Sequence, residues 1–322
     1  MTIARLNLSY GDHEASVVDT QFHQSAIANV RQVASCAEGK YIGVALDIQD
    51  ADIATDPGQL QRLHDRNKAN IGFALEQGAD MVLATVRQGD DVDDLRHYIQ
   101  ARSASMRIIS KIGNMDGVRN LAEIMEWSDG VIVDRSALAD DKEVERIFLV
   151  QKKIAAQCNI AGKPVICAGQ TLESMTASSS CKARTMSLNH FLSESPSAHK
   201  SRSASARHVA KYRPEVPIIA VTKQSVIARQ LLLYRGIYPF VDPQAEGNDA
   251  ATGDPVETHR MELELETSRQ PQWQNDVDRR IQFGILQGSR FNLVKQGDVV
   301  IAVQGWTSGL GHTNTIRILH MR

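Results

Sequence analysis

Residues 107–135 read RIISKIGNMDGVRNLAEIMEWSDGVIVDR. The stretch opens on an apolar run, Arg107 to Ile112, and closes on another, Val131 to Arg135. Between them Val118, Leu121, Ile124 and Met125 mark one face of a helix, because three- and four-residue spacings bring side chains to the same side. Continuous apolar runs suit parallel strands covered on both faces; a sheet with one wet face alternates instead. The stretch is therefore a strand–helix–strand unit.

The same pattern extends outward in both directions. Thr2 to Leu8, Ile42 to Ile48, Met81 to Val86 and Pro164 to Ala168 read as further strands. A helical pattern over Asn70 to Glu76 ends at Gly78, and another over Val144 to Asn159 stops at Gly162 with Pro164 just beyond. Repeated units of this kind predict a βα barrel or a doubly wound sheet. Downstream, Val216 to Val221 and Ile237 to Val241 read as strands, with a helix between them over Val226 to Tyr234. A helix over Trp273 to Gln287 follows, then two strands, Val299 to Gln304 and Asn314 to Leu319, around the glycine-rich run Gly305 to Gly311. A length of 322 residues suits about two domains at roughly 150 residues each.

Two segments break the pattern. Thr176 to Ala206 holds ten serines and reads as a weakly basic linker, a phosphate-binding segment being the sharper alternative. Asp242 to Pro271 carries eight acids and reads as a solvated loop or insertion. A net charge of -2 gives no global field for nucleic acid or a membrane surface, and no apolar run approaches the ~18 residues of a membrane span. Cys36, Cys158, Cys167 and Cys181 form no CxxC, which fits a reducing compartment. The start of the chain carries no targeting pattern, so the expectation is a soluble, cytoplasmic protein. No HExxH, Walker-type or GxSxG motif is present. Cys167, in an apolar strand, reads as a buried structural cysteine.

Eight runs, taken in order, resemble the animal-type pyruvate kinase family: ARLNLSYGDHE (Ala4–Glu14), VALDI (Val44–Ile48), IISKIGN (Ile108–Asn114), SDGVIVDR (Ser128–Arg135), NIAGKPVICAGQTLESM (Asn159–Met175), KYRPEVPIIAVT (Lys211–Thr222), ARQLLLYRGIYP (Ala228–Pro239) and GDVVIAVQGWTSGLGHTNTIRI (Gly297–Ile318). The resemblance implies an α/β chain whose barrel carries its site at the C-terminal strand ends, followed by a C-terminal αβ domain. Measured against that family, the first and last barrel strands and the lid domain are missing. The expectation is an incomplete TIM barrel over residues 1–176, a linker over 177–204, and an αβ domain over 205–322 with its acidic insertion at 242–271. Six strands cannot close where eight are needed, so two edges should lie open or be covered by another part of the chain or a partner.

The resemblance also implies the chemistry, phosphoryl transfer from phosphoenolpyruvate to ADP, in which cations do most of the work. Lys111 matches the family's essential lysine. Arg5 and Asn7 match contacts to nucleotide phosphate. Asn7, Ser9 and Asp47, with the carbonyl of Ile48, match the ligands of K+; ordinary strand-end hydrogen bonding suits the same residues. Trp273 and Arg280 match contacts to a sugar bisphosphate effector, and Gly309 and Gly311 lie in its phosphate-side loop.

Several positions depart from the family. Gly113 and Ala137 stand where it has the glutamate and aspartate that hold Mg2+, and a divalent ion has no anchor without them. Asp134 is expected to face away from Ala137 on an extended chain, and Asp140 and Asp141 to cap the next helix start. Gly169 replaces a threonine of the proton-transfer path, and Ala54 replaces an arginine that neutralises phosphate. These losses predict a family member, formally a phosphotransferase, that has lost catalysis. The alternatives are residual activity, or a regulatory or structural subunit that joins a pyruvate kinase paralogue in a homo- or hetero-oligomer. No nucleic-acid or membrane partner is expected.

Overall fold

In this computed structural model, residues 2–8, 17–35, 41–48, 57–102, 105–141, 147–168, 204–242, 275–305 and 313–321 are described. The chain forms two compact units, Met1–His199 with Lys211–Arg213, and Lys200–Ala210 with Pro214–Arg322.

The first unit contains β1 (Ile3–Asn7), α1 (Val17–Ser35), β2 (Gly43–Asp47), α2 (Pro57–Glu76), β3 (Met81–Thr85), α3 (Gly89–Gln100) and β4 (Arg107–Ile112). After these come α4 (Met115–Arg119), α5 (Leu121–Trp127), β5 (Gly130–Asp134), α6 (Arg135–Asp141), α7 (Ile147–Ala161) and β6 (Val165–Ala168). All six strands predicted from the apolar runs are present. They form one sheet in chain order, β1 to β6, every neighbour parallel, and β1 and β6 do not pair with each other. The barrel is open, as the strand count requires. Among the described residues its two edge strands each pair on one side only.

Both faces of the central strands are buried, which explains their unbroken apolar character. On one face Val44, Leu46, Val82, Ile108, Val131 and Val133 pack against Ile71 and Ala74 of α2, Val92 and Ile99 of α3, and Leu121 and Ile124 of α5. The opposite face carries Ala45, Met81, Leu83, Ile109 and Ile132, also buried. Fully burying such a side chain contributes about 1.5–3 kcal/mol, so two-sided burial is the main stabilising term. Cover fails at the β6 edge: Ile132 is 3% exposed, but its register partner Ile166 is 36% exposed.

Charged clamps close the N-terminal ends of the strands. Arg31 of α1 donates to the Ile42 carbonyl (3.1 Å), the Gly78 carbonyl (2.8 Å) and Asp80 Oδ2 (3.0 Å), and Asp80 accepts from the Val44 N–H (2.9 Å). Asp129, just before β5, accepts from Arg96 (2.9 Å), Arg107 (2.7 Å) and the Ile108 N–H (3.0 Å). Gly162 ends α7 with φ +70, a left-handed turn that favours glycine. Next to it, Lys163 Nζ donates to the Ser128 carbonyl (2.7 Å) and to that of Met125.

Several sequence-based boundaries change. The pattern found only the last third of α2 and missed α1 and α3, whose helical faces mix charged and apolar residues. The strand predicted to reach Arg135 ends at Asp134, because α6 begins at Arg135.

The second unit contains α8 (Ala204–Lys211, whose last residue falls in the first unit), β7 (Ile218–Thr222), α9 (Ser225–Leu231), β8 (Ile237–Val241), α10 (275–290), β9 (Val299–Gly305) and β10 (Thr313–His320). Among its described residues are two two-stranded sheets, parallel β7–β8 and antiparallel β9–β10. One side of β7 packs Ile218 and Ala220 with Ala206, Ala210, Ile227 and Leu231. On the other side α10 approaches closely through Gly284 and Gly288, where an added Cβ would meet Val221 at 2.9 Å and Ile219 at 2.5 Å. Asp242, fully buried, binds both Nη atoms of Arg279 (2.9 and 2.7 Å) and ties α10 to the end of β8. The expected linker, residues 177–204, lies outside the described residues apart from Ala204, and so does the acidic insertion beyond Asp242.

Burial opposes ionisation of Asp129, yet the Arg107 and Arg96 guanidiniums and the Ile108 N–H outweigh it and hold the carboxyl below its ordinary value. A depressed folded-state value contributes stability that is present above the unfolded value, about 4, and is lost as pH falls through the folded value. Urea midpoints between pH 5 and pH 3 should therefore fall for the wild type. Asp129→Asn should be less stable at pH 5, and the gap should narrow on acidification.

Candidate functional site at the C-terminal strand ends

Parallel register brings the C-terminal ends of β1 to β6 to one edge of the sheet. Asn7 pairs with Asp47, Thr85 with Lys111, and Asp134 with Ala168. Side chains two residues apart on a strand share a face, so Arg5 and Asp47 stand on the same side as Lys111. Curl of the sheet closes the gap across β3. Lys111 Nζ lies 3.2 Å from Asp47 Oδ1, while Arg5 Nε donates to Asp47 Oδ2 at 2.8 Å and Arg5 Nη2 to the same oxygen. Lys111 and Asp47 are buried, at 5% and 0% exposure, and the Arg5 side chain is half exposed. One carboxylate thus serves two cations. The sequence matched these three residues to separate tasks; their mutual ion pairing is visible only in three dimensions.

Gly113 follows β4 directly, and Ala137 lies in the first turns of α6. A Cβ built at Gly113 would stand 2.9 Å from the Ala137 Cβ and 3.9 Å from the Asp134 Cβ. The two positions therefore face each other at contact distance, and neither side chain carries a donor atom for a metal.

Asp134 corrects the expectation that it faces away. That expectation assumed an extended chain through Ala137, but the helix begins at Arg135, so Asp134 stays beside the Gly113–Ala137 contact. Its Oδ1 accepts from the Ser136 N–H (3.1 Å), the Ser136 hydroxyl (2.8 Å) and the Ala137 N–H (3.2 Å), capping α6. Asp140 and Asp141 lie at the end of α6, not at a helix start. Among the described residues no group of three or more His, Cys, Asp or Glu could hold a metal ion.

The expected K+ ligands are partly placed. Asn7 and Asp47 lie side by side, and the Ile48 N–H donates to the Leu83 carbonyl (3.0 Å). Both oxygens of Asp47 are engaged by side-chain cations, Oδ2 by Arg5 and Oδ1 by Lys111. Ser9, Ala54, Gly169, Trp273, Gly309 and Gly311 lie outside the described residues. Arg280 is bound within its own helix, Nη2 to Asp276 Oδ2 (2.5 Å) and Nε to the Asp276 carbonyl (3.4 Å).

Sequence reading passed over Arg135, which is almost fully buried between β5 and α6. Its signal was an arginine directly after an apolar strand. Burial raises the Cys167 thiol above its ordinary value against the pull of the Arg135 guanidinium, and Cys167 is half-buried where full burial was expected. Burial pushes the Cys158 thiol up to about 12, and its sulfur lies 3.7 Å from that of Met125. Neither cysteine is poised as a thiolate.

Two substitutions test this geometry. Asp47→Asn leaves Lys111 buried without its counter-charge, so urea denaturation should show a loss of about 3–5 kcal/mol. Gly113→Ala overpacks the contact with Ala137 and should cost about 1–3 kcal/mol. In a double-mutant cycle with Ala137→Gly, that cost should shrink.

Residues 57–187 match the model of the pyruvate kinase barrel domain, and residues 201–319 match that of the pyruvate kinase alpha/beta domain. The pyruvate kinase of Agaricus bisporus is 32% identical across 86% of this chain, that of Debaryomyces hansenii 29% across 90%, and human pyruvate kinase PKLR 29% across 81%. The chain spans 61%, 66% and 54% of those relatives' own lengths. Two pyruvate kinase domain matches in chain order, with relatives of that name across most of the chain, make this chain a member of the pyruvate kinase family.

Proposed function

We propose that this chain is a pyruvate kinase family member without phosphoryl-transfer activity, retaining a binding or assembly role. The observation that supports this reading is the contact between Gly113 and Ala137. The family's reaction moves a phosphoryl group from phosphoenolpyruvate to ADP, and Mg2+ held by two carboxylates supplies the charge neutralisation. Positions 113 and 137 offer no side-chain oxygen, and a Cβ at 113 would press on that of Ala137 at 2.9 Å. Asp134, beside this contact, caps a helix. The residues present therefore do not fit the divalent ion.

Other features support the same reading. Lys111 and Arg5, the cations left to meet a phosphate, share the carboxylate of Asp47, which draws their charge inward. Gly169 and Ala54 remove two further polar groups; a positioned proton-transfer group alone is worth ~10²–10⁴ in rate. Phosphoenolpyruvate and ADP are the ligands the family suggests, and a pyruvate kinase paralogue is the partner it suggests. No helix among the described residues is long and apolar enough to cross a membrane.

A coupled lactate dehydrogenase assay with Mg2+, K+, phosphoenolpyruvate and ADP tests the reading. The expected outcome is no NADH oxidation above the enzyme-free rate, together with an unchanged free Mn2+ signal in electron paramagnetic resonance. Pyruvate release by the purified chain, or Mn2+ uptake, would overturn it.

A further inference from the structure

We propose that Lys111 captures a small oxo acid covalently, as an imine, with Asp47 moving the protons and Arg5 holding the acid's carboxylate. A lysine amine attacks a carbonyl carbon when a general base stands within hydrogen-bond reach and a third group orients that base. All three parts are present here. Lys111 Nζ lies 3.2 Å from Asp47 Oδ1. Arg5 Nε donates to the other oxygen, Oδ2, at 2.8 Å, and Arg5 Nη2 binds it too. The three side chains come from β4, β2 and β1, whose register the sheet fixes.

Exposure divides the roles. The side chains of Lys111 and Asp47 are 6% and 1% exposed, so a proton passing between them is shielded from water. That of Arg5 is 45% exposed, which makes it the member a solute meets first. A planar guanidinium matches a carboxylate. Lys111 and Arg5 reach one and the same carboxylate group, so a ligand that meets both is small. The class that fits is a carbonyl with a carboxylate on it or one carbon away. The family resemblance casts Lys111 as a fixed charge; capture is a different use of the same amine.

The step keeps the charge balance of the buried pair. Asp47 takes a proton from the ammonium, and the freed lone pair on Nζ attacks the carbonyl carbon. The π pair of the C=O bond moves to oxygen, which takes that proton back from Asp47. Asp47 then accepts a second proton from Nζ and gives it to the hydroxyl. The hydroxyl leaves as water while the Nζ lone pair forms the C=N bond. The iminium nitrogen is positive, as the ammonium was, so Asp47 still faces a counter-charge and avoids the cost of a lone buried ion. No metal, nucleotide or oxidant takes part, so the outcome is read separately from that of the phosphoryl-transfer assay.

Glyoxylate and sodium borohydride test this on the full chain, without metal or nucleotide. Borohydride reduces an imine to a stable secondary amine, which peptide mass spectrometry locates. At limiting glyoxylate the label should settle on Lys111 ahead of the exposed Lys68 and Lys152, by about 10-fold or more, since a positioned proton-transfer group is worth at least that. Lys111→Arg, which keeps a positive charge beside Asp47, should lose this label and keep the weak one on Lys68. Arg5→Gln should cut capture of glyoxylate about 10-fold and leave that of acetaldehyde, which has no carboxylate, unchanged. Label on Lys68 and Lys152 with Lys111 bare, or equal label on all three, would overturn the proposal. An equal loss for both probes in Arg5→Gln would overturn the role given to Arg5 and the substrate class with it.

Discussion

The carboxylate of Asp47 lies out of contact with water, at the end of a strand whose neighbours are themselves buried. A lone ionised group there costs several kcal/mol, and it persists only where opposite charge and hydrogen bonds meet it. Arg5 and Lys111 meet it from two other strands, β1 and β4. The interaction therefore holds together the curl of four strands as well as the charge balance of the strand ends. It also sets what this edge can do. Cations drawn onto an internal anion are less available to an external one, so a ligand that recruits Lys111 or Arg5 must first compete with Asp47.

Much of the barrel unit was legible in the sequence because two-sided burial leaves a simple mark. Val44-Ala45-Leu46 and Val131-Ile132-Val133 can only be strands with cover above and below, and Gly162 before Pro164 stops a helix whatever the fold. The site was legible in part. Lys111, Arg5 and Asp47 were picked out by the family resemblance, but their convergence needs the curl of the sheet, which no local pattern encodes. The turn at Asp134 was misjudged because alternation holds only while a strand lasts, and one residue of helix reverses the inference. Arg135 was passed over because an arginine ending an apolar strand reads equally as a solvated end, and its burial shows only in three dimensions.

The second unit shows a different limit. Its strands were read correctly, to within a few residues, yet nothing in β9 or β10 says that the hairpin stands apart from β7–β8. Strand identity is local, whereas sheet membership depends on which elements lie between. Here α10 binds both sheets, through glycines against β7 and through Asp278 against Arg317, without joining them by backbone hydrogen bonds.

The chain order of the barrel strands has a consequence of its own. Among the described residues every strand pairs only with its chain neighbours, so no backbone pairing ties the first to the last. A closed barrel gains cooperativity from that final seam, since losing any strand breaks the ring. Without it, the unit behaves as a short linear array whose stability is a sum of nearest-neighbour interfaces, as in solenoid repeats. Terminal members of such an array have one interface each, so β1 with α1 and α7 with β6 are the places where fraying begins, and β3 and β4 are the last to open.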